Sequence, residues 1–297
     1  MTLPQRPFYQ AWLCLWLAVL CCGGGCSATA RDALRAGSGS FVFSPSRTTT
    51  QLQVWYYHPP NLRPEDPIVF VMHGVKRNGQ KYRDSWVKHA QNKRFLLLVP
   101  EFSQQAYPGS AGYNLGNMFA ASGRPNAPDL WGFTVIEQLF DHVRELTQSQ
   151  ASAYSLYGHS AGAQFVHRLL MFQPDARVKT AIAANAGWYT MPTDRVAFPY
   201  GLKHSGTNLA TVSQAFTHDL VILLGEKDTD TRDNNLRTTP EAMAQGPHRL
   251  ARGHAFYNAA QQAAQSQNVR LNWQLKEVAG VGHSNTKMAE AAAGILR

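Results

Sequence analysis

Tyr157-Gly158-His159-Ser160-Ala161-Gly162-Ala163 is the stretch on which the reading of this chain turns. Before it, residues 153–157 have strand character; after it, residues 161–172 carry helical spacing. A G-x-S-x-G between a strand and a helix forms a sharp, strained turn. Small neighbours let the two elements approach closely, and the serine oxygen is lifted above the sheet edge. The new helix points free N–H groups and the positive end of its dipole at the same place. The five-residue pattern alone is moderately specific. Its strand, its helix and the small Ala161 make Ser160 the candidate nucleophile.

A serine hydroxyl needs a base to take its proton and a carboxylate to orient that base. Two later loops supply them. Residues 220–224 read as a strand and run into Gly225-Glu226-Lys227-Asp228; residues 271–278 read as another and run into Gly280-Val281-Gly282-His283-Ser284. Sites in open α/β sheets lie past the carboxyl ends of strands. Asp228 is therefore the expected orienting acid and His283 the expected base. Asp230 is the rival acid, and Glu226 a weaker one because it lies nearer the strand. Of the eleven histidines, His159 is expected to shape the turn. His248 and His254, near Arg249 and Arg252, suggest a solvated polar segment. An oxyanion needs two backbone donors. One is the N–H of Ala161; the other belongs to the loop His73-Gly74-Val75-Lys76-Arg77-Asn78-Gly79, where Val75 is the choice. Trp188 and Tyr189 are either an apolar substrate wall or core aromatics.

Strands and helices alternate along the rest of the chain. Residues 68–72 and 95–99 are short apolar runs of the kind buried on both faces of a sheet, and 52–57 suggests an outer strand. Residues 178–184 read as a further strand. Helical stretches are read at 81–93, 130–146, 255–264 and 288–296, a long loop at 107–129, and a loose lead-in at 31–50. The expected fold is α/β, with a mainly parallel central sheet covered by helices on both faces. One domain spans 31–297. Residues 187–219 are too few for an elaborate cap, so the site is expected to be open.

The 297-residue chain is 44% hydrophobic and 16% charged, a globular composition that excludes a disordered protein. Its first thirty residues differ from the rest. Arg6 is their only charge, residues 11–22 are a continuous apolar run, and Ala28-Thr29-Ala30 fits a cleavage site. This describes a signal peptide more than a spanning helix, which needs roughly 20 residues. The expected protein is exported to the periplasm or the medium, or held at a membrane through a lipidated Cys26 or Cys22. All four cysteines lie in this leader, so neither a disulfide framework nor thiolate chemistry is expected after residue 30. The net charge of +9 becomes +8 without Arg6. Its scattered lysines and arginines form no nucleic-acid motif. No metal site is read.

Taken together, His73-Gly74, the Gly158–Gly162 turn, Asp228 and His283 resemble the α/β-hydrolase superfamily over nearly the whole chain after the leader. Residues 74–78, 158–164 and 225–228 look like its branch of polyhydroxybutyrate depolymerases and feruloyl or acetylxylan esterases, often secreted. The resemblance implies cofactor-free hydrolysis of a small or polymeric carboxylic ester through an acyl-enzyme. Ser160 is then the nucleophile, His283 the base and Asp228 the acid. Two alternatives stand beside it. One is a serine peptidase on the same fold, for which Arg232, Arg237 and Arg249 are candidates to hold a substrate carboxylate. The other is a binding protein on a hydrolase scaffold, which the presence of all three residue types disfavours.

Overall fold

Strand formation follows the apolar runs. In the computed structural model, which describes residues 34–48 and 50–296, the elements in chain order begin with β1 (Gly37–Phe43), β2 (Leu52–His58), β3 (Ile68–Met72), α1 (Gly79–Lys93) and β4 (Leu96–Glu101). A one-turn α2 (Gly109–Gly112) leads through a loop and a 3-10 turn to α3 (Gly132–Thr147), β5 (Tyr154–His159), α4 (Ala161–Phe172) and β6 (Val178–Ala184). After them come the short α5 (Leu209–Val212), β7 (Leu220–Gly225), the short α6 (Pro240–Gln245), α7 (Arg249–Ser266), β8 (Gln274–Val278) and α8 (Asn285–Ile295). The expected leader, with Cys22 and Cys26, lies outside the described residues. No helix among the described residues is long and apolar enough to cross a membrane.

The eight strands form one sheet in the order β1-β2-β4-β3-β5-β6-β7-β8. β1 with β2 and β2 with β4 pair antiparallel; every other pair is parallel. Alternation along the strands divides the core in two. Phe70 and Met72 of β3 face a layer built by α3, α4 and α7, with Phe133, Phe165 and Phe256 in it. Val69 and Val71 face the opposite layer, where Trp86 of α1 and Met288 of α8 pack. Helix α4 is buried along its whole length, which is why its sequence is apolar on nearly every side.

The chain leaves β3 toward β4 on one side and leaves β5 toward β6 on the other. This reversal opens a crevice past the carboxyl ends of β3 and β5, the usual place for a site in such sheets. Met72 and Gly158 are register partners, so the His73 loop and the Ser160 turn emerge side by side.

Two expectations are corrected. Residues 31–50 are not all a loose lead-in, because Gly37–Phe43 forms the edge strand β1. Its Gly-Ser repeat has little strand propensity, yet it pairs along its whole length with β2, and the Tyr56 ring lies over the space a side chain at Gly39 would fill. Phe43 then anchors the strand in the core. The second correction is that α7 starts at Arg249, six residues before the expected helix, capped by His248, which accepts the Ala251 N–H at 3.2 Å.

Candidate active site

The turn after β5 has the strain its sequence implies. Ser160 sits at φ 59°, ψ −114°, a region L-residues occupy only when the surroundings enforce it. The enforcement is backbone on backbone. The Ser160 N–H donates to Ala184 O at 2.9 Å. A side chain at Gly158 would overlap the Gly162 backbone, and one at Gly162 would overlap the Met72 carbonyl. Helix α4 thus starts hard against the ends of β3 and β5. Its first N–H groups, that of Ala161 included, have no acceptor within the helix.

The loop after β3 closes on the same point. A Cβ added at Gly74 would stand 3.8 Å from the Ser160 Cβ, and Val75 follows with its side chain half exposed. The loop is held by a buried, neutral histidine. His73 Nε2 accepts the Phe102 N–H at 3.0 Å, which leaves Nδ1 to donate to the Gly74 carbonyl at 3.0 Å. Complete burial, opposed only in part by that bond, lowers the His73 pKa to about 3.

Asp228 and His283 come together. Gly225 and Val278 are register partners at the ends of β7 and β8, and the two loops are tied by Lys227 N–H to Val281 O at 2.8 Å. His283 Nδ1 lies 2.7 Å from Asp228 Oδ2. The Asp228 side chain is 2% exposed and that of His283 is 24% exposed, so the acid is sheltered while the imidazole reaches the surface. Asp230 does not enter the site; it is exposed and its carboxylate accepts the Arg232 N–H at 2.9 Å. Glu226 ties the loops instead, accepting the Gly280 N–H at 2.7 Å.

The pair lies against the Ser160 turn through His159. The His159 ring lies 4.6 Å from the His283 ring, tilted by 38°, and its Nδ1 is 3.2 Å from the Tyr82 hydroxyl. Burial, with the nearby charges of His283 and Arg249, holds the His159 pKa well below the ordinary range. His159 therefore remains a neutral plate against which His283 packs.

Several placements differ from expectation. Arg249 and Arg252 are no solvated segment: they are 1% and 0% exposed. Burial of Arg252 is possible because backbone carbonyls take its N–H groups, those of Gly246, Gly187 and Arg237 at 2.7–2.9 Å. Arg249 is turned inward to Asp228 and Asp233, so it is not free for a substrate carboxylate. Tyr189 is wholly buried and stacks on Phe256 at 4.4 Å. Trp188, 3% exposed, lies under the guanidinium groups of Arg168 and Arg237 at 4.4 and 5.2 Å. Of the two readings of these aromatics, the interior one describes their placement. Reading the chain missed Asn185, Asp233 and Tyr82, none of which stands in a motif. Among the described residues no group of three metal-ligating side chains is assembled.

Comparison with known proteins places the chain among hydrolases. It is 43% identical to a poly(aspartic acid) hydrolase from Sphingomonas sp. KT-1, with a TM-score of 0.86, covering 88% of this chain and 99% of that one. It is 36% identical to the poly(3-hydroxybutyrate) depolymerase LpqC from Bordetella parapertussis, with a TM-score of 0.84 over 88% and 89% of the two chains. An S-formylglutathione hydrolase from Agrobacterium tumefaciens shares the fold at 11% identity and a TM-score of 0.55, over 88% and 94% of the two chains. No protein-family model and no curated relative matches the chain.

Proposed function

The chain belongs to the α/β-hydrolases, in the branch that holds these two polymer hydrolases, and from that membership we propose that it is a serine hydrolase cleaving carboxylic esters through an acyl-enzyme. The observation that carries the reading is the 2.7 Å pair of His283 and Asp228, on loops that open beside the strained Ser160 turn. Asp228 keeps the His283 proton on Nδ1, so Nε2 is the face that takes the Ser160 proton. The serine oxygen then attacks the ester carbonyl. The Ala161 and Val75 N–H groups hold the oxyanion, and each such donor contributes about 3 kcal/mol in the transition state. His283 next protonates the departing alcohol, and water repeats the sequence on the acyl-enzyme to release the acid.

A second reading has a specific support. The relative that is 43% identical is named for a polyanionic polyamide, this chain carries a net charge of +9, and an exposed Arg237 is held over Trp188 and Tyr200. The same machinery would cleave an amide by protonating a departing amine. Export through residues 1–30 is part of the proposal: a mature chain starting at Arg31 supports release, and a lipidated Cys22 or Cys26 supports anchoring.

The test is a fluorophosphonate probe on the purified protein, followed by turnover of short aryl esters, 3-hydroxybutyrate oligomers and poly(aspartic acid). We expect labelling that Ser160→Ala abolishes, and ester turnover. Undiminished labelling of Ser160→Ala removes the nucleophile assignment, and turnover of poly(aspartic acid) alone replaces the first reading with the second.

A further inference from the structure

Asp228 uses one carboxylate oxygen for His283. Its other oxygen, Oδ1, faces Arg249 Nη1 at 3.5 Å, and the same Nη1 stands 3.1 Å from Asp233 Oδ2. Arg249 is the first residue of α7, and the next residue, Leu250, donates its N–H to the Asp228 carbonyl at 3.2 Å. The start of α7 therefore holds Asp228 by main chain and by charge. A carboxylate that is 2% exposed is costly to ionise without a partner, and Arg249, 1% exposed, is the cation on its free side. We propose that Arg249 is a positioning residue for the Asp228–His283 pair, and that Asp233 is a second carboxylate of the same charge set. The proposal rests on the serine-hydrolase reading above.

The charge count explains why two carboxylates are present. When His283 takes the Ser160 proton, the set holds two cations, Arg249 and His283, and two anions, Asp228 and Asp233. Without Asp233, an imidazolium would form next to a buried guanidinium with one carboxylate shared between them. Other groups near the set complete the surroundings: neutral His159 from the β5 turn and Arg252 one turn along α7 lie close enough to feel the Arg249 charge, and the Tyr189 hydroxyl, from the segment after β6, feels that of Asp228. Burial alone would raise the Asp233 pKa, but the Asn235 N–H, Arg249 and His283 outweigh it and hold the carboxyl below its ordinary range. Neither Nε nor Nη1 of Arg249 has a well-formed hydrogen bond among the described residues. Its influence on Asp228 is thus mainly that of a charge, and a charge is read in a pH profile.

The experiment measures kcat and KM on a short aryl ester from pH 5 to 9 for Arg249→Met, Arg249→Lys, Asp233→Asn and Ser160→Ala. Arg249→Met is expected to lower kcat about 10- to 100-fold, the loss of one charge-assisted contact, with KM held within about threefold. Removing the cation eases protonation of His283, so the acid limb of kcat/KM moves to higher pH. Arg249→Lys keeps the charge; its limb stays near that of the parent and part of kcat returns. Asp233→Asn moves the limb to lower pH. A folded Arg249→Met with the parent's kcat and limb overturns the proposal. Equal losses in the Met and Lys variants with unmoved limbs do so too, because they describe a merely structural residue. If Arg249→Met does not fold by circular dichroism, an unmoved limb in Asp233→Asn overturns it alone. The two readings fail separately: a fully active Ser160→Ala removes the serine mechanism, whereas an inactive one beside parent-like Arg249 variants removes only this inference.

Discussion

Asn185 accepts the Gly225 N–H at 2.7 Å and donates to the Gly282 carbonyl at 3.1 Å. One amide side chain at the end of β6 thus joins the loop that carries Asp228 to the loop that carries His283. The loop that carries His283 has Gly280 and Gly282, and glycine is costly to order, so such a tie has a clear physical use. Asp228 is held at the end of this scaffold, while Asp230 points to water two residues away. If Asp228 orients His283, Asp228→Asn should reduce kcat on an aryl ester by roughly 10³- to 10⁴-fold, since an amide favours the wrong histidine tautomer. Asp230→Asn should leave kcat within about twofold, as expected of an exposed turn residue. Steady-state kinetics on both variants check this, and the opposite ranking would transfer the role to Asp230. That Asp228 and His283 each stand in a loop just past a strand was legible in the residues alone. Choosing between Asp228 and Asp230 needed the 2.7 Å contact, because both acids lie in the same loop.

Among the elements, the junction of β3, β5 and α4 decides the site's geometry. It is made by absence of side chains, with Gly162 lying on the Met72 carbonyl. Gly162→Ala puts a methyl group against fixed backbone, where neither neighbour is a flexible side chain. Overpacking of this kind costs about 1–3 kcal/mol. It should lower the melting temperature and slow fluorophosphonate labelling together, since the same displacement moves the Ala161 N–H. An unchanged melting temperature with labelling at the parent rate would show that α4 has room the packing denies it. The buried strands and most helices were legible because burial on both faces writes a continuous apolar run, and a helix face writes its own period. β1 and the first turns of α7 were not. Gly37-Ser38-Gly39-Ser40 pairs with residues 55–58 of β2 in spite of its low propensity, with the Tyr56 ring lying over Gly39. Arg249 and Arg252 look like surface residues until their N–H groups and charges find interior partners.

Across the whole molecule, buried histidines set a limit on acid stability. His73, His159 and His167 are fully buried, and burial is the leading cause that lowers each pKa from 6.5, to about 3 for His73 and well below the ordinary range for the other two. His73 and His167 are also committed by geometry. His167 Nε2 accepts the Thr190 N–H at 3.1 Å and its Nδ1 donates to Ala163 O at 3.0 Å, so neither ring has a place for a second proton. In the unfolded chain all three protonate near pH 6.5. Below that value the unfolded state binds more protons, so stability is fully present above about pH 6.5 and is lost as pH falls toward the depressed folded values. Three groups together give a slope of up to about 4 kcal/mol per pH unit, against a total stability of about 5–15 kcal/mol. Urea midpoints should be level from pH 9 to 7 and fall steeply from 6 to 5, with a shallower fall in His167→Gln; a flat profile down to pH 5 would contradict the buried neutral state. Periodicity and spacing along the chain were enough to determine the α/β architecture and the strand–turn–helix around Ser160, because those features are local patterns of apolarity and small residues. Which polar side chains surround them, Asn185, Asp233, Arg249 and His159 among them, came from the packed structure. A polar residue reads the same in sequence whether water or the interior satisfies it, and here segments far apart in the chain supply the partners.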